Sequence, residues 1–142
     1  MAPDATTAVD KLFWDDHFAT KVTGIEIGHV EETTCECKLA LTPRHCNAAG
    51  NVMGGVIFTL ADLAFAVVMN HGLIKKVPKE ELWMSLDSSI HFLRISKGTQ
   101  LKANAVCLKK GRCTCLCEIK ITDDTGKLIA TIETTGIRST QK

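Results

Sequence analysis

Asp62 is the one formally charged side chain in the thirty residues from His45 to Ile74. It interrupts an apolar run, Val56-Ile-Phe-Thr-Leu-Ala-Asp62-Leu-Ala-Phe-Ala-Val-Val-Met69. A carboxylate is rarely taken out of water without a partner or a task. Apolar surroundings disfavour its charged form and raise its pKa toward values useful for moving protons. Asp62 is therefore the first candidate for acid/base or nucleophilic work. Gly54 and Gly55 open the same run. At the start of a helix their N–H groups have no intrahelical acceptor, and the helix dipole adds positive potential there. Glycine also lets a substrate carbonyl approach the backbone closely. Alternatively, both glycines simply permit a tightly packed turn.

The elements that must position these groups can be read along the chain. Ala8 to Phe18 reads as a short helix with Leu12, Phe13 and Phe18 on its buried side. Ile25 to Leu41 reads as a strand pair or one long bent strand, with Cys35, Cys37, Leu39 and Leu41 facing in and Glu36 and Lys38 facing out. Pro43 ends it, since proline cannot donate to a ladder. A loop rich in turn formers, Asn47-Ala-Ala-Gly50-Asn-Val-Met53, feeds a helix over roughly Gly54 to Asn70. That helix is hydrophobic nearly all round, so it should be central and buried. Trp83 to Leu93 then alternates, with Met84, Leu86, Ile90 and Phe92 on one face and Ser85, Asp87, Ser89 and His91 on the other. Runs over Gln100–Leu108, Arg112–Ile121 and Lys127–Ile137 follow, joined by the Lys109-Lys110-Gly-Arg112 and Asp123-Asp-Thr-Gly126 turns. The expected class is α+β, one antiparallel sheet wrapped around one long helix, in a single domain over residues 1–142 with its core at about 24–137.

Composition narrows the function. A chain of 142 residues with net charge +1 and 23% charged residues is an ordinary globular domain with no electrostatic case for nucleic acid. No basic segment precedes an apolar one at the N-terminus, and the longest apolar stretch is short of a membrane helix, so no membrane association is expected and the expected location is cytoplasmic. Seven cysteines, with no Cys-x-x-Cys pair, read as small core hydrophobes rather than disulfide partners or metal ligands. Cys35 with Cys37, and Cys113 with Cys115 and Cys117, should each point to one face of the sheet. His45, His71 and His91 show no metal pattern and read as surface or loop residues. No metal and no cofactor is expected.

Asn47, Gly50, the Met53-Gly54-Gly55 step, Thr59-Leu-Ala-Asp62 and Ser85-Leu-Asp87 together resemble the hotdog-fold acyl-CoA thioesterases of the phenylacetate-degradation type. The match spans roughly Gly24 to Ile137. It implies a hotdog fold, an acyl-CoA substrate of which coenzyme A is a part, and hydrolysis to the free acid and coenzyme A. It implies that the Gly55 N–H polarises the thioester carbonyl and that Asp62 acts as general base on water or as a nucleophile. Asn47 would orient water, the aspartate or the thioester, unless it is simply a turn residue. Ser85 aligns with a strand serine that assists the aspartate in some relatives; a solvent-facing or interface serine is the alternative. Met53 and Gly54 would border the substrate, and Arg94 would meet phosphates of coenzyme A. The family usually carries His-Gly-Gly where this chain has Met53-Gly54-Gly55, so the methionine supplies no proton while the backbone donors remain.

Spacing adds a constraint. Asp62 lies seven residues after Gly55, about 10 Å along a helix axis, too far for both to act on one carbonyl within a chain. If both are catalytic, the site requires a homodimer, and the resemblance implies that Gly55 and Asn47 of one subunit face the partner's Asp62 within a homotetramer. Two other functions stay open: a non-catalytic acyl-CoA-binding protein, and an enoyl-CoA hydratase or dehydratase, which would need the histidine that Met53 replaces. A Ser-His-Asp hydrolase is not expected, since no Gly-x-Ser-x-Gly elbow occurs.

Overall fold

In the computed structural model, residues 12–13, 15–74 and 76–139 are described. Six strands form one antiparallel sheet: β1 Glu26–Val30, β2 Thr34–Ala40, β3 Met84–Phe92, β4 Gln100–Lys110, β5 Thr114–Asp123 and β6 Leu128–Ile137. Their order across the sheet is β1-β2-β4-β5-β6-β3. The long helix spans Gly54–Asn70 and packs against this sheet. This is the expected hotdog architecture. No helix among the described residues is long and apolar enough to cross a membrane.

Period-two alternation supplies the core. Cys35, Cys37 and Leu39 of β2, Leu101, Ala103 and Ala105 of β4, and Cys117, Ile119 and Ile121 of β5 are all buried. Leu60, Ala64, Phe65 and Val67 of the long helix are buried with them. Gly136 of β6 lets helix and sheet close up. A Cβ there would stand 2.6 Å from the Phe65 ring and 2.7 Å from Cys115 Sγ. Gly126, at φ +84°, closes the β5–β6 turn in the left-handed region that favours glycine.

Four expectations need correction. The helix read over Ala8 to Phe18 lies partly outside the described residues, but Phe18 does not belong to a buried side: it is 62% exposed. The chain turns at Asp15, and Asp16 then caps a short π-helical segment, His17–Val22, by accepting from the Ala19 N–H at 3.1 Å. That cap turns Ala19 and Thr20 inward instead. Cys113 does not share a face with Cys115 and Cys117; it precedes β5 and is exposed. His45 is buried, not superficial. Its Nδ1 lies 3.0 Å from the Thr42 N–H, and its Nε2 lies 2.7 Å from the Thr23 carbonyl, so the ring staples two loops.

The fourth correction concerns β3. A bulge between Ser85 and Asp87 breaks its simple alternation. Ser85 pairs with Gly136, Ser88 with Thr134 and Ile90 with Ile132, and those β6 partners are buried toward the helix. Ser85 therefore shares the helix side with Ser88, Ile90 and Phe92, while Asp87, Ser89 and His91 face away. One inserted residue flips the parity of everything beyond it. β3 is also an edge strand, with Met84 67% and Leu86 63% exposed.

Candidate active site

The loop before the long helix is built around Asn47. Its side-chain Oδ1 accepts from the Ala49 N–H at 3.0 Å and the Asn51 N–H at 3.1 Å. Both lone pairs of the oxygen are thereby engaged, and the amide NH2 has no protein partner among the described residues. Asparagine's turn-forming habit thus fixes an outward donor in place. The chain then returns through Met53, whose N–H donates to the His45 carbonyl at 2.9 Å. The buried His45 anchors the start of the helix in this way.

At that start the first helical acceptor is the Met53 carbonyl, which receives the N–H groups of Val56 and Ile57. Gly54 and Gly55 come earlier and keep free N–H donors among the described residues. The two glycines differ in what surrounds them. A Cβ on Gly54 would stand 3.0 Å from the tip of the Phe92 ring, so a side chain there would make the ring or the helix start give way. A Cβ on Gly55 would meet only the Met53 methyl, at 4.0 Å. Gly55 is exposed, its φ is not positive, and no neighbour among the described residues requires its lack of a side chain.

Asn47, Gly54 and Arg94 line one groove of about 460 Å³, together with Ile57, Phe92 and Ser96. Arg94 is the sole charged side chain in its lining. The wall carrying Arg94 is pinned from below: Ser96 Oγ donates to Asp123 Oδ2 at 2.7 Å, and the Thr99 N–H donates to Asp124 Oδ1 at 2.8 Å. Burial alone would raise the Asp123 carboxyl, but hydrogen bonds from Thr125 and Ser96 and from backbone N–H groups bring it down to about 2.

Asp62 is elsewhere. It lines a smaller pocket, about 190 Å³, with Asp16, Phe18, Phe58, Leu63 and Ala66. Along the helix, Gly55 and Asp62 are exposed and Thr59 and Ala66 half-buried, a stripe at helical spacing that the chain's own sheet leaves open. The helix is thus not buried all round, as its composition suggests. The carboxyl itself is partly desolvated by its apolar neighbours, which raises its pKa above the ordinary aspartate value. The Ser85 side chain opposes that shift, and the negative charge of Asp16 reinforces it.

The structure therefore gathers the expected residues into two groups. Asn47, Gly54 and Arg94 share one groove, with Gly55 beside it at the helix start. Asp62 and Ser85 form the second group, further along the helix. Two contributors were not foreseen. Phe92 read only as a strand apolar residue, and the bulge that turns it toward Gly54 leaves no trace in composition. Asp16 lies 46 positions before Asp62, and only the turn at Asp15 brings them to one pocket.

A hotdog sheet, a helix start with free N–H donors and a half-desolvated carboxylate on the same helix fit the general class of thioester-processing enzymes. The family model described as the thioesterase superfamily matches residues 49–130, more than half of the chain. The chain belongs to the thioesterase superfamily. It is 30% identical over 131 residues to a putative esterase of Archaeoglobus fulgidus, covering 91% of this chain and 75% of that protein. It is 31% identical over 106 residues to the 1,4-dihydroxy-2-naphthoyl-CoA hydrolase of Listeria monocytogenes, covering 75% of this chain and 83% of that protein. Among solved structures, the E. coli PaaI protein of the phenylacetic acid degradation operon superposes with a TM-score of 0.80 at 23% identity. The match covers 93% of this chain and 91% of that one, a likeness of fold.

Proposed function

We propose that this protein hydrolyses acyl-CoA thioesters in a homodimer, each active site assembled from two chains. The single observation that carries the reading is the separation of the two groups. An oxyanion needs donors about 3 Å away, and the base must reach the same carbon. Gly55 and Asp62 stand nearly two turns apart on one helix, so one chain cannot bring both to one carbonyl. Two copies with their open helix stripes face to face can. The exposed β3 edge, with Met84 and Leu86 uncovered, supports the same assembly, because an unpaired apolar edge strand is an unfinished surface.

In this reading the Gly55 N–H, at the positive end of the helix dipole, polarises the thioester carbonyl. The Asn47 amide donates beside it. The partner subunit's Asp62 takes a proton from water, or attacks the carbonyl directly to give an anhydride that water then opens. Ser85 orients that carboxylate. The coenzyme A portion lies in the Asn47–Arg94 groove, where Arg94 meets a phosphate. Hydrolysis is supported by the family and by the names of the curated relatives, one a CoA hydrolase. Met53 carries no exchangeable proton, which leaves the hydratase alternative without its acid/base partner.

The test is release of free coenzyme A, followed by chromatography over short, medium, long-chain and aryl acyl-CoA substrates. Turnover that Asp62→Ala abolishes is expected. No turnover on any of them, or full activity in Asp62→Ala, overturns the reading. Incubation in H2 18-O, with one turnover on excess enzyme, tests the nucleophilic role of Asp62: label in the protein carboxyl shows an anhydride that water opens at the Asp62 carboxyl carbon.

A further inference from the structure

We infer that Asp16 is a specificity-determining residue: it makes the Asp62 pocket reject acyl groups that end in a carboxylate. The inference rests on the hydrolase reading, since it takes that pocket as the acyl site. Charge decides the assignment. A coenzyme A carrier brings several negative phosphates, and the pocket holds Asp16 and Asp62 with no basic side chain among the described residues of its lining. The carrier is therefore repelled here and accommodated in the groove that holds Arg94. The acyl group remains as the occupant, beside the carboxylate that must reach its carbonyl carbon.

The walls agree with this. Phe18, Phe58, Leu63 and Ala66 give an apolar lining, and about 190 Å³ compares with the roughly 150 Å³ that holds one benzene in an apolar cavity. A ring or a short to medium chain fits. What Asp16 adds is a fixed negative charge at the wall. It is exposed but tethered: Oδ1 accepts from the Ala19 N–H at 3.1 Å, and the Asp16 carbonyl accepts from the Thr20 N–H at 2.9 Å. The other carboxylate oxygen has no protein partner among the described residues. A terminal carboxylate entering the pocket would meet this charge and find no cation in the described lining to offset it. A neutral group loses nothing, and an ammonium gains a partner.

Asp16→Asn tests this cleanly, because asparagine is an equally good helix cap and the fold is retained. Hexanoyl-CoA and adipoyl-CoA match in length and differ in one terminal carboxylate. The wild-type protein should favour hexanoyl-CoA in kcat/KM, and Asp16→Asn should narrow that ratio by about tenfold or more. The ratio is the readout, so any change common to both substrates cancels. 6-Aminohexanoyl-CoA should move the opposite way. Dissociation constants for the non-hydrolysable thioethers S-hexyl-CoA and S-(5-carboxypentyl)-CoA give a second readout without turnover. An unchanged ratio in a working hydrolase overturns the role of Asp16 alone. Discrimination in thioether binding that Asp16→Asn narrows, with no hydrolysis of any thioester, upholds Asp16 and overturns the hydrolase reading. Absence of both binding and turnover overturns both.

Discussion

Ser85 holds the Asp62 pKa down against the effect of burial, and it does so from a strand whose pairing is interrupted immediately beyond it. The bulge after Ser85 sets Leu86 aside, and Asp87 resumes pairing one residue out of step. The serine and Phe92 thereby reach the helix side of the same strand. A plain alternation from Met84 to Phe92 would put these two on opposite faces. The bulge is thus the device that lets one edge strand serve Asp62 with a hydroxyl and Gly54 with a ring.

Removing that hydroxyl has a signed consequence. Burial raises the Asp62 pKa and the Ser85 side chain lowers it, so Ser85→Ala should move it up. If Asp62 works as the carboxylate, the acid limb of kcat/KM moves to higher pH. Activity should fall about tenfold on the acid side and recover as pH rises. A loss that is uniform across the pH range would show that the serine does something other than tune Asp62.

Asp62→Asn should separate activity from stability. Loss of a general base lowers kcat by about 10²–10⁴-fold. Stability should go the other way. The folded-state pKa of Asp62 is raised, so ionising it is harder in the fold than in the unfolded chain. The destabilisation is present wherever both states are ionised, and it fades as pH falls through the raised value toward the ordinary one near 4. The variant's Tm should therefore exceed wild type at pH 7, and the gain should shrink in acid. Thermal unfolding at several pH values checks it; a lower Tm at pH 7 would mean that the carboxylate holds the fold together.

A shared site predicts complementation. Asn47→Ala and Asp62→Asn should each be inactive as pure proteins. Unfolded together and refolded, they form hybrids in which one of the two sites draws Asn47 and Asp62 from the unmutated copies. Random assortment gives about a quarter of wild-type activity for such two-fold dimers. No recovery, with hybrids demonstrated by mass, would place the whole site within one chain.

Much of this was legible in the chain, and the reasons are local. The Gly54 to Asn70 helix, the two hairpin turns and the inward Cys35-Cys37-Leu39 face follow from periodicity and turn chemistry, which act over a few residues. Asp62 and the Gly54-Gly55 step stood out because an apolar run makes exceptions visible. What stayed hidden depends on tertiary registration. His45 looked like a loop residue because its partners, Thr42 and Thr23, include one 22 positions away. The β3 bulge has no glycine or proline to announce it. Asp16 joins Asp62 only through the fold. The open stripe along the helix stays hidden for the opposite reason: small and apolar residues that the sheet leaves uncovered look the same in sequence as those that fill a core.

The two adjacent glycines offer the sharpest separation of packing from chemistry. Gly54→Ala would press a methyl to 3.0 Å from the Phe92 ring, so the ring or the helix start must shift. About 1–3 kcal/mol of stability should be lost, the range for overpacking, and the groove wall should move with it, raising KM. Gly55→Ala meets only the Met53 methyl at 4.0 Å, which is ordinary contact. Its backbone is already compatible with alanine, so about 0.4–1 kcal/mol should be gained from a less flexible unfolded chain. Its N–H is unchanged. If a substrate carbonyl must come down onto that N–H, the new methyl stands in its path, and kcat/KM should fall about 10²-fold or more, as when one oxyanion donor is lost. A stable Gly55→Ala protein with wild-type turnover would remove Gly55 from the site. A stable, inactive one that keeps the wild-type oligomeric state leaves contact with substrate as the reason for that glycine, because among the described residues only the Met53 methyl comes near it.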